Sequence, residues 1–377
     1  MNARRDGNGS VLRVAIVGLG KMGLSHQAMF NAHPDVEVVA VCDASAYVVE
    51  MLAKYTGVRG CTDYARLLED VPLDAVVIAT PSRHHGAMVR SALERGLHVF
   101  CEKPFVLDPA EGEALARLAA ARGCVNQVGY HYRFVGAFSE VGRLLAAGAI
   151  GTVAHVMAQA YGPVVLRARG STWRSQRAEG GGCLYDYAAH PINLLNWYFG
   201  APTAAGGTVL NSLFSRETED TVSGTLYFPG GVTAQLSVDW SDESHRKMST
   251  KVTIWGRDGM IEADRQELRV FLRDTATPSD GYAHGWNVRY TTDLTEPVWF
   301  YVRGEEYSAQ VAHFVACVRE RRIETVSSFA SAAQTDRVIA MLIADAQRGP
   351  GSSPEAVGVP PPPSPRRRPR WFSLTAR

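Results

Sequence analysis

The chain has 377 residues, more than the ~100–200 of one ordinary domain, so its length predicts two domains. Hydrophobic residues make up 46% and charged residues 20%, which is typical of a globular chain and excludes disorder for most of it. The net charge of +1 predicts no nucleic-acid partner, and the lack of any apolar run near the ~18–20 residues of a membrane span predicts no membrane partner. The six cysteines are scattered without a CxxC pair, which predicts reduced thiols in a cytoplasmic protein.

The first third of the chain alternates between strand and helix patterns. Short apolar runs predict strands at 12–17, 36–42, 75–79, 98–101 and 125–129. Helical spacing predicts helices at 22–32, 45–55, 86–94 and 109–122, and Thr62 or Asp63 is placed to cap a short helix through Leu68. This alternation indicates βαβ units, so we predict a doubly wound parallel sheet over residues 1–135.

The rest of the chain has a different pattern. Alternating apolar residues predict hairpins at 221–228 with 232–240 and at 251–255 with 260–263, followed by a strand at 266–272 and helices at 305–321 and 328–347. We therefore predict a second, α+β domain over 136–349, built on an antiparallel or mixed sheet. Residues 350–377 hold eight of the 19 prolines and five arginines against one acid, which predicts a flexible Pro/Arg-rich tail; a PxxP docking motif is the alternative.

A glycine-rich loop joins the first strand to the first helix. Gly18, Gly20 and Gly23 have the spacing that permits a tight turn, close approach of a pyrophosphate and close helix packing, and the backbone of Lys21 and Met22 opens the helix. Asp43 lies 20 residues beyond Gly23, at the end of the second strand, where an acid binds ribose hydroxyls. The pattern predicts an NAD(P)-binding Rossmann domain, although a purely structural glycine turn is the alternative. Because a carboxylate repels a 2′-phosphate, NAD is favoured over NADP.

Lys103 follows the fourth predicted strand directly. The chain has only five lysines, none with a tyrosine four residues before it, and its Cys and His residues form no zinc-ligand cluster, so we predict no metal. Because the carboxyl ends of parallel strands face the ligand crevice, the Lys103 ammonium is placed to polarise a substrate oxygen or to act as a base. An ordinary surface lysine is the alternative.

A second group of candidate residues follows the three glycines at 180–182. Asp186 and His190 are four residues apart, which places them on one face of a helix. A carboxylate beside an imidazole can hold its tautomer, as a general base requires. The alternative is a capping aspartate and a buried structural histidine.

The ordered set of motifs resembles the glucose–fructose oxidoreductase/inositol dehydrogenase/MocA (Gfo/Idh/MocA) family from about residue 12 to 347. The resemblance rests on Gly18–Gly23, Asp43, Thr80-Pro81 with His85, Glu102-Lys103-Pro104, and Asp186 with His190. It implies a Rossmann domain, a second domain with a large open mixed sheet, and a homodimer or homotetramer formed through that sheet.

The resemblance also implies roles for individual residues. In the catalytic group, Lys103 would hydrogen-bond the reacting oxygen, His190 would exchange its proton, and Asp186 would orient His190. The further cofactor contacts would be Thr80, Pro81, His85 and Glu102, and Lys103 would also touch the cofactor. The substrate contacts would be Tyr130, Arg133, Trp173, Arg174 and Asn193. Asn193 stands where inositol dehydrogenases of the family often carry aspartate, which argues against inositol.

These observations predict an NAD(P)-dependent oxidoreductase that acts on a secondary alcohol or the matching ketone of a sugar, sugar nucleotide or cyclitol. Two alternatives remain. One is a member that uses NAD transiently to eliminate or hydrolyse a glycoside with no net redox change. The other is a non-catalytic NAD(P)-binding regulator, for which the retention of Lys103 and His190 gives no support.

Overall fold

The computed structural model of the protein describes residues 11–164 and 173–349. The tail predicted at 350–377 lies outside these residues. Within the described ranges, no helix combines the length and the apolar character that crossing a membrane would require.

The first sheet is parallel throughout, which confirms the predicted doubly wound architecture. Its six strands lie in the order β3-β2-β1-β4-β5-β6. The strands are β1 (Leu12–Val17), β2 (Val36–Cys42), β3 (Arg59–Cys61), β4 (Ala75–Ile78), β5 (His98–Cys101) and β6 (Asn126–Val128). The helices between them are α1 (Lys21–Ala32), α2 (Ala46–Thr56), α3 (Tyr64–Asp70), α4 (His85–Glu94) and α5 (Pro109–Arg122). The sequence did not predict β3, because its three residues carry no apolar run.

Local sequence determines where these helices begin. The Asp63 carboxylate accepts hydrogen bonds from two backbone N–H groups of the first turn of α3, as the sequence predicts. The Asp108 carboxylate caps α5 by accepting a hydrogen bond from Ala110 N, and Pro109 occupies the first helical position, where its missing N–H costs nothing. Parallel pairing of β4 with β1 and with β5 places the carboxyl ends of the three strands side by side, so their loops meet at one edge of the sheet.

The second sheet has eight strands in the order β14-β13-β12-β11-β7-β10-β9-β8. The strand β10 pairs parallel with β7, and the other pairings are antiparallel, so the predicted mixed, mostly antiparallel sheet is confirmed. The elements of this part are α6 (Gly136–Ala146), β7 (Val153–Tyr161), α7 (Ala189–Phe199), β8 (Ala204–Asn211), β9 (Thr221–Tyr227), β10 (Thr233–Asp239), β11 (Ser249–Gly256), β12 (Gly259–Ala263), β13 (Glu267–Leu272), β14 (Gly285–Tyr290) and the short α8 (Thr291–Leu294).

Three of these strands were not predicted. The strand β7 contains three alanines, β8 contains two glycines, and β14 has no buried residue. Their strand conformation is therefore supplied by pairing with neighbouring strands rather than by local propensity.

Two late helices bring the chain back to the first sheet. The helix α9 (Glu305–Arg319) lies outside the range 1–135, yet its buried Val311 and Phe314 pack in one core with Phe30 and Phe100. The helix α10 (Phe329–Arg348) continues from there, and its Phe329 stacks on Phe105 with ring centroids 4.3 Å apart. The two sheets are therefore joined by a shared set of helices.

Candidate functional site

The glycine-rich loop has the geometry that each glycine was predicted to provide. Gly18 has φ +88°, and a Cβ there would lie 2.7 Å from the Ala79 backbone. At Gly23 a Cβ would lie 1.7 Å from the Gly18 carbonyl oxygen, so α1 packs directly on the loop. At Gly20, by contrast, a Cβ would meet no atom within 4 Å. The open space at Gly20, at the N-terminus of α1, fits a pyrophosphate that accepts hydrogen bonds from the first helical N–H groups.

Asp43 is attached to this loop. One carboxylate oxygen accepts a hydrogen bond from Leu19 N at 2.6 Å, and the other accepts one from Ser45 N at 2.8 Å. The carboxylate thus ties the glycine loop to the end of β2. Its predicted contact with ribose hydroxyls stays a prediction.

His85 connects the loops that follow β4 and β5. Its ring is buried, with Nε2 2.9 Å from the Thr80 carbonyl oxygen and Nδ1 2.9 Å from the Pro104 carbonyl oxygen. Burial lowers the pKa of His85 despite these carbonyl groups. His85 therefore positions the Thr80-Pro81 and Lys103-Pro104 backbones, and its predicted contact with the cofactor stays a prediction.

Glu102 is also turned into the protein. Its carboxylate lies 2.6 Å from His26 Nε2 on α1 and accepts a hydrogen bond from its neighbour's backbone, Lys103 N, at 3.2 Å. Burial raises the pKa of Glu102, but the bond to His26 and nearby positive charge outweigh burial and leave it lowered. Glu102 thus connects the middle of α1 with the backbone of Lys103, and its predicted contact with the cofactor stays a prediction.

Lys103 is held by the loop at the start of α7. Its ammonium donates to the Asp186 carboxylate at 2.8 Å and to the Asp186 backbone oxygen at 2.9 Å. The other Asp186 oxygen accepts from Arg174 Nε at 2.8 Å. Burial alone would raise the pKa of Asp186, but the charges of Lys103 and Arg174 lower it to about 2. The carboxylate therefore stays ionised, and Lys103 is not an ordinary surface lysine.

His190 lies among aromatic rings beside this ion pair. The nearest ring centroids are those of Tyr132 at 4.7 Å and His131 at 5.1 Å, and the His190 Nδ1 atom has no partner among the described residues. Burial lowers the pKa of His190 well below its usual value, and the charges of Lys103 and Arg265 lower it further. The imidazole is therefore neutral at physiological pH, with an unused nitrogen lone pair or N–H group.

The predicted contact between Asp186 and His190 is not formed. Residues Leu184–Ala188 make a π-helical turn, in which Ala189 N donates to the Leu184 oxygen five residues earlier. This wider turn rotates residues four apart away from a common face. Asp186 bonds to Lys103 and Arg174 instead, so the structure does not support the prediction that it orients His190 directly.

Two of the predicted substrate residues bind each other. Arg133 donates to the Asn193 side-chain oxygen at 2.7 Å, and Asn193 donates in turn to Thr335 at 3.0 Å. Both residues are buried, and burial lowers the pKa of Arg133 to about 10. They connect the segment after β6 with α7 and α10, and their predicted contact with substrate stays a prediction.

The other three predicted substrate residues lie closer to the candidate site. The buried Tyr130 ring is edge-on to His190, with centroids 6.2 Å apart. The Arg174 guanidinium covers the Trp173 ring at 4.5 Å while it binds Asp186. Of these three, Arg174 lines the large cavity described below.

The sequence reasoning missed several residues of the site. His131 directly follows Tyr130, and its ring stacks on Tyr307 at 4.4 Å. Arg265 lies 5.6 Å from the Tyr132 ring and pairs with Glu306. His131 could have been found because it follows the last parallel strand, whose carboxyl end faces the crevice. Arg265 comes from the distant β12–β13 turn, and nothing in its local sequence distinguishes it.

The cavity between the two sheets has a volume of about 1750 Å³ and opens beside the glycine loop. Its lining includes Lys21 from α1, Arg174 and Arg265. In the part of the chain that the structure describes, no three His, Cys, Asp or Glu side chains are grouped so as to hold a metal ion. A Rossmann sheet with a glycine-rich phosphate loop, a partly buried lysine directly after β5 and a neutral histidine on α7 is typical of a nicotinamide-dependent oxidoreductase.

Comparison with known proteins agrees with this class. The family model described as the oxidoreductase family with an NAD-binding Rossmann fold matches residues 12–130, and the Gfo/Idh/MocA C-terminal domain matches 138–262. The chain belongs to the Gfo/Idh/MocA family of NAD-binding oxidoreductases, as the motifs predicted.

Individual relatives span most of the chain. The scyllo-inositol 2-dehydrogenase (NAD(+)) of Bacillus subtilis (strain 168) is 26% identical over 322 residues, which cover 84% of this chain and 89% of that protein. The dTDP-3,4-didehydro-2,6-dideoxy-alpha-D-glucose 3-reductase of Streptomyces violaceoruber is 32% identical over 239 residues, covering 63% and 69%. A solved structure of levoglucosan dehydrogenase with NADH and levoglucosan has a TM-score of 0.80 at 21% identity, covers 90% of this chain and 98% of its own, and shows the common fold.

Proposed function

We propose that this protein transfers a hydride between NAD and a secondary hydroxyl, or the matching ketone, of a sugar, sugar nucleotide or cyclitol. The observation that carries the proposal is the presence of Lys103 and the neutral His190 together at the carboxyl edge of the Rossmann sheet. The named relatives act on an inositol and on a nucleotide-linked sugar, which supports the substrate class.

We assign to Lys103 the role of hydrogen-bonding the reacting oxygen of the substrate. Asp186 fixes its ammonium with two hydrogen bonds of 2.8 and 2.9 Å and leaves its third N–H for a ligand. Because Asp186 is shared with Arg174, the local charge is positive, which stabilises an oxygen that gains negative charge. Asp186 is therefore a positioning residue for Lys103.

We assign to His190 the role of accepting the substrate proton and, in the reverse direction, donating it. A neutral imidazole can accept the proton of an alcohol as NAD, when bound, accepts the hydride. Positive charge at Lys103 and Arg265 opposes an imidazolium, so the accepted proton is readily passed on. In the reverse direction, the protonated ring donates to the ketone oxygen.

The test is NAD reduction followed at 340 nm with a panel of sugars, sugar nucleotides and cyclitols. Turnover that requires Lys103 and His190 supports the proposal. Product formed from a glycoside without net NADH would instead identify a lyase or hydrolase. Tight NAD binding without turnover of any compound in the panel would favour a regulator.

The pH dependence gives a separate prediction for His190. Because its pKa lies well below 6.5, we expect the acid limb of kcat/KM for alcohol oxidation to lie below pH 6.5. Arg265→Gln removes one of the charges that lower this pKa, so it should move the limb to higher pH, whereas Arg265→Lys should not. A limb at or above pH 6.5, or one that Arg265→Gln leaves unmoved, would contradict the assignment.

We further infer that NAD is used in preference to NADP. This inference is supported by the Asp43 carboxylate, which Leu19 N and Ser45 N fix at the end of β2 and which would repel the 2′-phosphate of a bound NADP. Comparing the KM of the two cofactors with the same alcohol measures this preference.

The outer face of the second sheet supports a homodimer or homotetramer. Trp286, Val288 and Tyr290 on β14 expose 54%, 46% and 55% of their surface on one side of the strand. Such clustered apolar exposure is typical of an interface. We expect light scattering to give a dimer or tetramer, and Trp286→Glu with Tyr290→Glu to lower the mass; a monomeric parent protein would overturn this inference. Lys54→Glu, on the exposed face of α2, is the matched control and should leave the mass unchanged.

A further inference from the structure

The cavity between the sheets is strongly cationic. Eight of its lining side chains are Lys or Arg, and one, Glu217, is acidic. Residues 1–349 as a whole carry 34 basic and 37 acidic side chains, a slight acidic excess. The positive charge is therefore concentrated in this cavity and does not follow from the composition.

Part of this charge is neutralised by neighbouring carboxylates. Arg177 lies 3.6 Å from Glu219, and Arg265 pairs with Glu306. Arg216 and Lys247, however, have no carboxylate partner among the residues that the structure describes. An unpaired cation in a cavity is available to an anionic ligand.

The register of the second sheet explains why these two cations lie together. Asp239 at the end of β10 pairs with Thr221 at the start of β9, and Ser249 at the start of β11 pairs with Tyr161 at the end of β7. The β8–β9 loop at 212–220 and the β10–β11 loop at 240–248 therefore leave the same end of the sheet. Arg216 lies in the first loop, and Lys247 follows Arg246 in the second.

These loops are next to the reacting groups but belong to the second sheet. Trp240, which opens the β10–β11 loop, packs edge-on against Tyr187 with centroids 6.5 Å apart, and Tyr187 directly follows Asp186.

Two other cations of the same cavity lie near the phosphate loop, where the cofactor would bind. Lys21 lies at the start of α1, and Arg303 Nη1 lies 3.5 Å from Ser25 Oγ on that helix. Two cations near the phosphate loop match the two negative charges of a pyrophosphate, which leaves Arg216 and Lys247 without an assigned role.

Resting on the function proposed above, we infer that the substrate is a phosphorylated sugar, either a sugar monophosphate or a nucleoside diphosphate sugar, whose phosphate contacts Arg216 and Lys247. Arginine and lysine bind phosphate oxygens through charge-assisted hydrogen bonds. The cavity volume of about 1750 Å³ leaves room for such a substrate beside the nicotinamide. The sugar ring then lies toward Lys103, and the phosphate lies toward the two sheet loops.

The test compares matched compounds with the NAD-loaded protein. Glucose, glucose 1-phosphate, glucose 6-phosphate, UDP-glucose, dTDP-glucose and glucuronate are assayed at 340 nm, and binding of each to the NADH complex is measured by calorimetry. We expect a phosphorylated member to have a KM or Kd at least ~10-fold below that of glucose. The monophosphate and nucleotide arms distinguish the two sources of phosphate. Equal binding of glucose, or tighter binding of glucuronate than of every phosphorylated compound, would overturn the inference.

The variant Arg216→Gln with Lys247→Gln completes the test. It should raise the KM of the phosphorylated substrate ~10-fold or more with a small change in kcat, and leave the KM of neutral glucose unchanged. Arg122→Gln, on the far end of α5, is the control and should change neither. If the variant affects both substrates equally, the phosphate contact is wrong. If no compound turns over, the proposed function fails, while calorimetry with the same variant still decides the binding of phosphate.

Discussion

Replacing Lys103 by methionine is expected to lower kcat/KM for the accepted substrate by about 10²–10⁴-fold, the usual contribution of one positioned acid–base or oxyanion-stabilising group. Methionine keeps the length of the side chain but removes the ammonium that Asp186 holds at 2.8 Å. Asp186 retains its ion pair with Arg174, so we expect the protein to stay folded. Steady-state kinetics with thermal unfolding as a parallel measurement checks this result.

Two further variants test whether a positive charge alone is sufficient at position 103 and whether the effect is specific to this lysine. Lys103→Arg preserves the positive charge but not the compact ammonium, and we expect it to recover little activity. Lys54→Met, on the exposed face of α2, removes a lysine far from the site and should leave kcat/KM unchanged. NAD affinity should remain within a few-fold of the parent in Lys103→Met. Near-parental turnover in this variant would remove Lys103 from the mechanism.

Alanine substitutions in the glycine loop are expected to have two different large effects. At Gly23 the new Cβ would lie 1.7 Å from the Gly18 carbonyl oxygen, so α1 must move; we expect a loss of about 1–3 kcal/mol or more of stability together with NAD binding. At Gly20 the Cβ meets nothing within 4 Å and φ is −68°, so the fold should tolerate it. The methyl group would nevertheless occupy the space that fits a pyrophosphate, and we expect NAD affinity to fall ~10-fold or more.

Thermal unfolding and calorimetric titration with NAD distinguish these effects. Gly142→Ala is a suitable control because its Cβ would make ordinary contacts at 3.6 Å in α6, away from the loop. It should bind NAD normally and be at least as stable as the parent, since alanine favours helix over glycine. Unchanged NAD affinity in Gly20→Ala would show that the cofactor does not cross the loop at this glycine.

The parallel sheet was predictable because its information is local. Apart from β3, its strands were predicted from short local runs, its helices from caps or from helical periodicity, and its phosphate loop from glycine spacing between a strand and a helix. The second sheet was only partly predictable. Its hairpins carry local turn signals, whereas β7, β8 and β14 form strands because their neighbours supply hydrogen-bond partners. The return of α9 to the first core depends on packing between segments nearly 300 residues apart in sequence, as Phe30 with Phe314 shows.

The candidate site was likewise predictable only in part. The sequence by itself determined the phosphate loop, Asp43, Lys103 and His190, because each occupies a position that a strand end or a motif defines. Only the tertiary structure decided what these residues contact. A π-helical turn accompanies the bonding of Asp186 to Lys103 instead of His190. An internal hydrogen bond joins Arg133 to Asn193, and sheet register places the loops of Arg216 and Lys247 at one end of the second sheet. These outcomes depend on backbone register and on the competition among buried polar groups for partners, neither of which is encoded in the spacing of residues along one element.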